Sequence, residues 1–428
     1  MADTGATEGQ HSATQVPTKF RGRLRIVGPG LIIAATGVGA GDMVTALVAG
    51  TQFGTVFIWA IILGALIKFS LVEGMGRWYM ATGKTIVQGW HSLSRVASGY
   101  FVVYLCLVTF FFGAAITSAS ALAVNAMFPG LMPVWGWAII HGILGFGILL
   151  VGRYGLFERI MQFFVGLMFV TVVALAIFLL PGLQQNILTG LVPTLPEGSV
   201  LYALGVIGGV SGTYSLAAYT YWVRERGWRS SSWIPTMRVD SSVGYIITAV
   251  FMISMLIIGA SVLYGTGTTI DGEEGLVTLA GPLSERFGTF IKWLFLVGFW
   301  SAAAGSILGG WNAGAYLFAD YARTVSKAPD EKADTYLTEK SWYFRGFLVW
   351  CAFPPMLLHA FDEPVLLVII YAALGALFVP FMAGTLLWLL NSRNIEKDFR
   401  NKIPTNVVMA VALLLFVAMA VNEIIGLF

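Results

Sequence analysis

Asp42 stands in the middle of the apolar stretch GPGLIIAATGVGAGDMVTALVAG (residues 28–50). An unpaired carboxylate there is costly or becomes neutral, so such a residue faces a cavity or a partner. It can hold a cation, receive an ammonium group, or cap the start of a helix, since aspartate is a preferred N-cap. Gly37, Gly39 and Gly41 alternate just before it, and Gly205, Gly208, Gly209 and Gly212 cluster in a second stretch, LGVIGGVSGTYSLAAY (204–219). Glycine inside a helix costs about 1 kcal/mol relative to alanine, so both clusters call for a reason. One is close helix packing through small residues. The other is a broken helix whose unwound backbone lines a site, and it accounts for both clusters together. Gly37, Gly41 and Gly208 are then candidate helix breaks. The carbonyls around Thr36–Gly41 and Ile207–Gly212, with the hydroxyls of Thr36, Ser211, Thr213 and Tyr214, are candidate oxygen ligands beside Gly39, Gly209 and Gly212. Amide groups at the half-helix ends attract carboxylates instead.

Lys68 is the second charge out of place. It lies nine residues before Arg77, about 13 Å along a helix, too deep for easy snorkelling. It reads as a counter-ion for Asp42, as a stand-in for a coupling cation, or as a lysine in a wet vestibule. Glu73 and Arg77 read as a helix-end pair at i,i+4, and Asp240 as a cap at the head of an apolar run. His141 and Asn312 read as buried polar groups that satisfy neighbours. His11, His91, His141 and His359 are scattered, without zinc spacing. Neither a nucleophile–base pair nor a phosphate loop supports an enzyme, and nothing calls for a cofactor. Cys106 and Cys351 lie in apolar runs, where a thiol behaves as a small hydrophobe.

The elements that must position these residues are membrane helices. Of 428 residues, 57% are hydrophobic and only 11% charged, with a mean hydropathy of +0.80; a soluble domain carries about 25% charged residues. The net charge of +3 is too small to suggest nucleic acid. Apolar runs long enough to cross a bilayer fall at about 28–53, 55–77, 101–127, 134–152, 158–180, 200–222, 241–263, 288–317, 343–360, 364–391 and 404–427. With the N-terminus in the cytoplasm, the inner segments and their flanks hold all 25 basic residues except Lys68, Arg286 and Lys292. The positive-inside rule therefore supports eleven spans, N-terminus cytoplasmic. Trp78, Tyr79, Trp228 and Trp342 read as an aromatic belt against lipid. Residues 1–20 form a polar tail expected to be disordered, without a signal peptide. Residues 21–428 form one transmembrane domain: repeat one about 24–182, repeat two about 198–392, and an extra helix about 404–427. The interrupted first and sixth spans open the two halves of a 5+5 inverted repeat, where transporters place discontinuous helices.

The chain resembles the Nramp metal transporters, which share the LeuT-like fold. The resemblance covers about residues 24 to 424. It is carried by GPGLIIAATGV with the following Gly-Asp (28–42), GRWYMATGKTIVQ (76–88), GLVPTLPEG (190–198), ALGVIGG (203–209), GFWSAAAGSILGGWNAGAY (298–316) and VPF (379–381). Where the family has Asp-Pro-Gly-Asn, this chain has Gly39, Ala40, Gly41 and Asp42. The family's metal-binding methionine and Pro-His correspond to Gly212, Thr213 and Tyr214, and its second histidine to Tyr219. A glutamine of the tenth span becomes Ala372, and acidic relay residues of the third become Gly113 and Ile116.

The resemblance implies an all-α, multi-pass protein of the cell membrane, the inner membrane of a bacterium, that moves a divalent cation by alternating access. Losing the thioether removes the preference for soft metals. An oxygen site with room for retained water suits magnesium, with manganese next and iron or zinc disfavoured. Without the acidic relay and histidines, weak or absent proton coupling is expected. The alternative is a LeuT-like carrier for a small organic solute such as an amino acid, its carboxylate at the half-helix ends and its ammonium on Asp42.

Overall fold

The computed structural model describes residues 16–183, 187–210, 212–265, 279–361 and 364–426; within its helices, the side chains of several positions, among them 40–42, 44, 361 and 364–370, lie outside that description. Thirteen helices of the described residues build the bundle: α1 (Pro29–Gly37), α2 (Ala40–Phe53), α3 (Ile58–Thr82), α4 (Arg95–Met127), α5 (Val134–Leu150), α6 (Tyr154–Leu179), α7 (Val200–Gly209), α8 (Ser215–Glu225), α9 (Ile234–Val262), α10 (Thr289–Val325), α11 (Trp342–Met356), α12 (Pro364–Asn391) and α13 (Ile403–Gly426). Among the described residues there is no strand.

Each apolar run corresponds to a helix, except the first and sixth, which correspond to two each: α1 with α2, and α7 with α8. Helix ends overrun the apolar runs. α4 starts at Arg95, α9 at Ile234, and α10 continues to Val325. The backbone ladder continues into polar residues that satisfy water, whereas hydropathy registers only the part that matches lipid. Of the tail placed at 1–20, residues 1–15 lie outside the described residues, while Phe20 opens a short helix, Phe20–Leu24.

Packing follows the repeat. α9 packs on both halves of the first span, and its counterpart α3 packs on both halves of the sixth. α4 contacts α12 as α10 contacts α6, α4 and α10 contact each other, and so do α5 and α11. This is the pairing that a two-fold relation between spans 1–5 and 6–10 generates. α13 lies outside it, against α12 and α3. Five of the helices are each long and apolar enough to cross a membrane: Ile58–Thr82, Arg95–Met127, and the stretches Tyr154–Gly182, Ser231–Val262 and Thr289–Val325. The chain is a multi-pass membrane protein.

Small residues allow the close approaches. A β carbon on Gly64 of α3 would lie 2.6 Å from the Ile207 carbonyl oxygen of α7. At the polar end, Gly83 takes φ +69° and closes α3. Thr85 and Gln88 then form a capping box that starts the surface helix Ile86–Leu93.

Candidate transport site

The first interruption is Val38 and Gly39. α1 ends at Gly37, and the turn is held by α10: the Ser306 hydroxyl lies 3.0 Å from the Val38 carbonyl, 3.1 Å from that of Thr36 and 3.4 Å from that of Ala35. A hydroxyl carries one proton, so these three carbonyls share a single donor. Sequence reading missed Ser306; its signal was a serine amid the small residues of 298–316. Among the described residues, the nearest atom to a β carbon added at Gly39 would be Ser306 Oγ at 3.8 Å, an ordinary van der Waals contact. The Thr36 hydroxyl is buried against Gly309 of α10 and has no hydrogen-bond partner among the described residues. Gly41 and Asp42 fall in the first turn of α2, so Gly41 is helical and not part of the break. The Asp42 side chain lies outside the described residues.

The second interruption separates α7 from α8 across residues 210–214. Ser211 lies outside the described residues. Gly212 takes φ +63°, a left-handed conformation that side chains resist. An added β carbon there would also collide with Ser215 Oγ and would lie 3.5 Å from the α carbon of Gly37. The two interruptions therefore meet. Gly208 and Gly209 are the last residues of α7, helical and not unwound.

Lys68 is fully buried. Its Nζ donates to the Gly212 carbonyl at 2.7 Å and to the Gly208 carbonyl at 3.3 Å. The lysine is thus part of the second interruption and does not point into a wet vestibule; its pairing with Asp42 falls outside the described residues. Aromatic groups pack around Tyr214 of the same interruption. Tyr214 meets Phe112 edge-on at 5.8 Å, and Phe112 meets Tyr371 at 5.2 Å. The Tyr214 hydroxyl has no hydrogen-bond partner among the described residues, while those of Tyr104 and Thr213 lie beside each other without hydrogen-bond geometry. Tyr104, Phe112 and Tyr371 were also missed, because nothing local distinguishes an aromatic packed at an interruption from a lipid-facing one.

Tyr219 lies elsewhere. Its hydroxyl donates to Asp240 Oδ2 at 2.8 Å, with the Met237 carbonyl at 3.2 Å. Asp240 is not at the head of its helix but six residues inside α9, and it accepts from the Gly28 amide at 2.8 Å, capping α1 from another span. Glu73 does pair with Arg77, but it also accepts from Arg238 of α9 at 2.7 Å. His141 accepts from Trp300, and Asn312 from Trp222, each at 2.9 Å, so both satisfy neighbours as expected.

Residues 30–426 match the family described as "Natural resistance-associated macrophage protein-like". The chain belongs to the Nramp family. A divalent metal cation transporter MntH of Staphylococcus aureus is 27% identical over 319 residues, 70% of each chain. Among solved structures, a variant of the Eremococcus coleocola manganese transporter matches with a TM-score of 0.77 at 18% identity, covering 97% of this chain and 91% of its own. MhsT in complex with L-phenylalanine gives a TM-score of 0.55 at 16% identity, covering 93% and 98%. At such identities the likeness concerns the fold. It joins this Nramp chain to the LeuT-like architecture. Among the described residues of this Nramp protein, no three His, Cys, Asp or Glu side chains gather as a metal site.

Proposed function

We propose that this chain is a secondary transporter that carries a divalent cation by alternating access, magnesium or manganese ahead of iron or zinc, with weak or absent proton coupling. One observation carries the reading: Gly212 and Gly37 bring the two interruptions into contact, so unwound carbonyls from both repeats border one place. The cargo class follows from membership of a family whose relatives are named divalent metal cation transporters. The hardness follows from the donors. Carbonyls and hydroxyls surround the place, and positions 212–214 carry neither thioether nor imidazole. Such donors suit a cation that keeps part of its water.

Weak proton coupling is supported by packing as well as by residue type. A β carbon on Gly113 would lie 2.6 Å from the Cys351 carbonyl oxygen, so α4 has no room there for an acidic side chain. Ile116 and Tyr219 offer no group that titrates near neutrality.

A second reading, a small zwitterionic solute, is not favoured by the relatives, which are named divalent metal cation transporters; one feature of the chain bears on it. The Lys68 ammonium beside Gly212 repels a divalent cation and attracts a carboxylate. Uptake into proteoliposomes separates the two. Magnesium or manganese uptake that excess amino acids leave unchanged supports the first. Amino-acid uptake without metal uptake would reject it.

A further inference from the structure

The carbonyls freed where a half-helix ends carry the negative end of its dipole and are cation sites. In α7 those carbonyls face a side chain of the protein itself. Lys68 Nζ binds the oxygens of Gly208 and Gly212, 3.3 Å and 2.7 Å away, one in the last turn of α7 and one within the break. Local structure explains how the lysine reaches them. Gly64 and Lys68 are one helical turn apart on the same face of α3. The bare glycine lets α7 settle on α3 at the Ile207 carbonyl, and the lysine, one turn on, meets the end of α7. Phe416 of α13, a helix outside the repeat, lies under the ammonium at 5.8 Å from its ring centroid. An ammonium at such a ring face is held by cation–π attraction.

The geometry assigns Lys68 the role of a resident cation: its tethered ammonium occupies the cation place of the second interruption, so that no alkali ion enters there during the cycle. The lysine holds α7, the residues after it and α3 as one unit, and the cycle turns without an ion arriving or leaving at that end of α7. This assignment concerns how the chain cycles and holds whether the cargo is a metal or an organic solute.

The test therefore reads stability of the purified full-length protein in detergent, which needs no cargo. Lys68→Ala removes the ammonium and leaves space before the two carbonyls. We expect its melting temperature to fall below the parent's, and to recover by at least about 2 °C in methylammonium or sodium chloride relative to choline chloride of equal ionic strength. The parent should melt alike in all three salts. Lys68→Met, which fills the space without a charge, should stay low in every salt. The assignment is overturned if Lys68→Ala melts like the parent, if it responds equally to choline, if Lys68→Met matches the parent, or if the parent itself gains stability from sodium. If neither variant folds, even when produced and purified in methylammonium, the place accepts no external cation and the assignment is likewise rejected. Failure of wild-type metal uptake, by contrast, would remove the proposed cargo and leave this result standing.

Discussion

The amide of Gly28 and the carboxylate of Asp240 are 212 residues apart in sequence and 2.8 Å apart in space. The bond ties the start of the interrupted first span to the middle of α9, and the other carboxylate oxygen holds the Tyr219 hydroxyl of α8. One buried side chain thus joins both broken spans at their Arg- and Lys-rich ends. Asp240→Ala removes a helix cap, leaves the Gly28 amide without its acceptor and leaves the Tyr219 hydroxyl only the Met237 carbonyl. We expect a loss of about 2 kcal/mol, read as a lower melting temperature in detergent. Asp240→Asn should cost less, because an amide oxygen still caps Gly28. A parental melting temperature for the alanine variant would show that the tie contributes nothing.

Gly39 and Gly212 should behave in opposite ways. A β carbon on Gly39 would meet the described residues only at ordinary contact distance, so Gly39→Asp should fold and raise affinity for manganese by adding a carboxylate oxygen. Gly212 has positive φ and Ser215 against it, so Gly212→Met should lower stability by at least about 1 kcal/mol. Isothermal titration and thermal melting of the two variants check the pair. Equal tolerance of both would contradict the described geometry.

Asp42 is the residue on which cargo depends. Asp42 lies within the first turn of α2, and Asp42→Asn is nearly isosteric, so the fold should stand. Under the proposed function it removes the formal negative charge of the site, and magnesium or manganese binding should be lost. For a zwitterionic cargo, affinity should fall by about 2 kcal/mol, as for a lost charge-assisted bond. A parental transport rate in this variant would reject both assignments.

The loop between α10 and α11 carries a pH-dependent contribution. Burial, and then the neighbouring Glu225 carboxylate, push Glu339 up to about 7, opposed by a backbone hydrogen bond at Tyr154. The folded chain therefore binds this proton more tightly than the unfolded chain. The contribution to stability is complete below about pH 4.5 and is lost as pH rises through about 7. Glu339→Gln should flatten the melting profile over that window. An unchanged slope would mean that another group sets it.

Much of this architecture was legible along the chain. Eleven apolar runs, the alternation of basic segments and two glycine clusters placed the spans and both interruptions. Hydropathy and glycine cost are local quantities, so a window of some twenty residues contains them. The exact break was less legible. Gly37, Gly39 and Gly41 alternate evenly, and only the packing of Ser306 against three carbonyls placed the unwound residues at 38 and 39, with Gly41 in the next helix. The Glu73–Arg77 pair was legible from its spacing, but what Lys68 and Asp240 do was decided by tertiary structure alone. Lys68 had three readings in sequence because its partners, Gly208 and Gly212, lie 140 and 144 residues away. Asp240 read as a cap of its own helix, and it caps another. A membrane helix must bury any charge against something, and the sequence states that need without naming the partner. Only the folding of one repeat against the other brings the donor and the acceptor together.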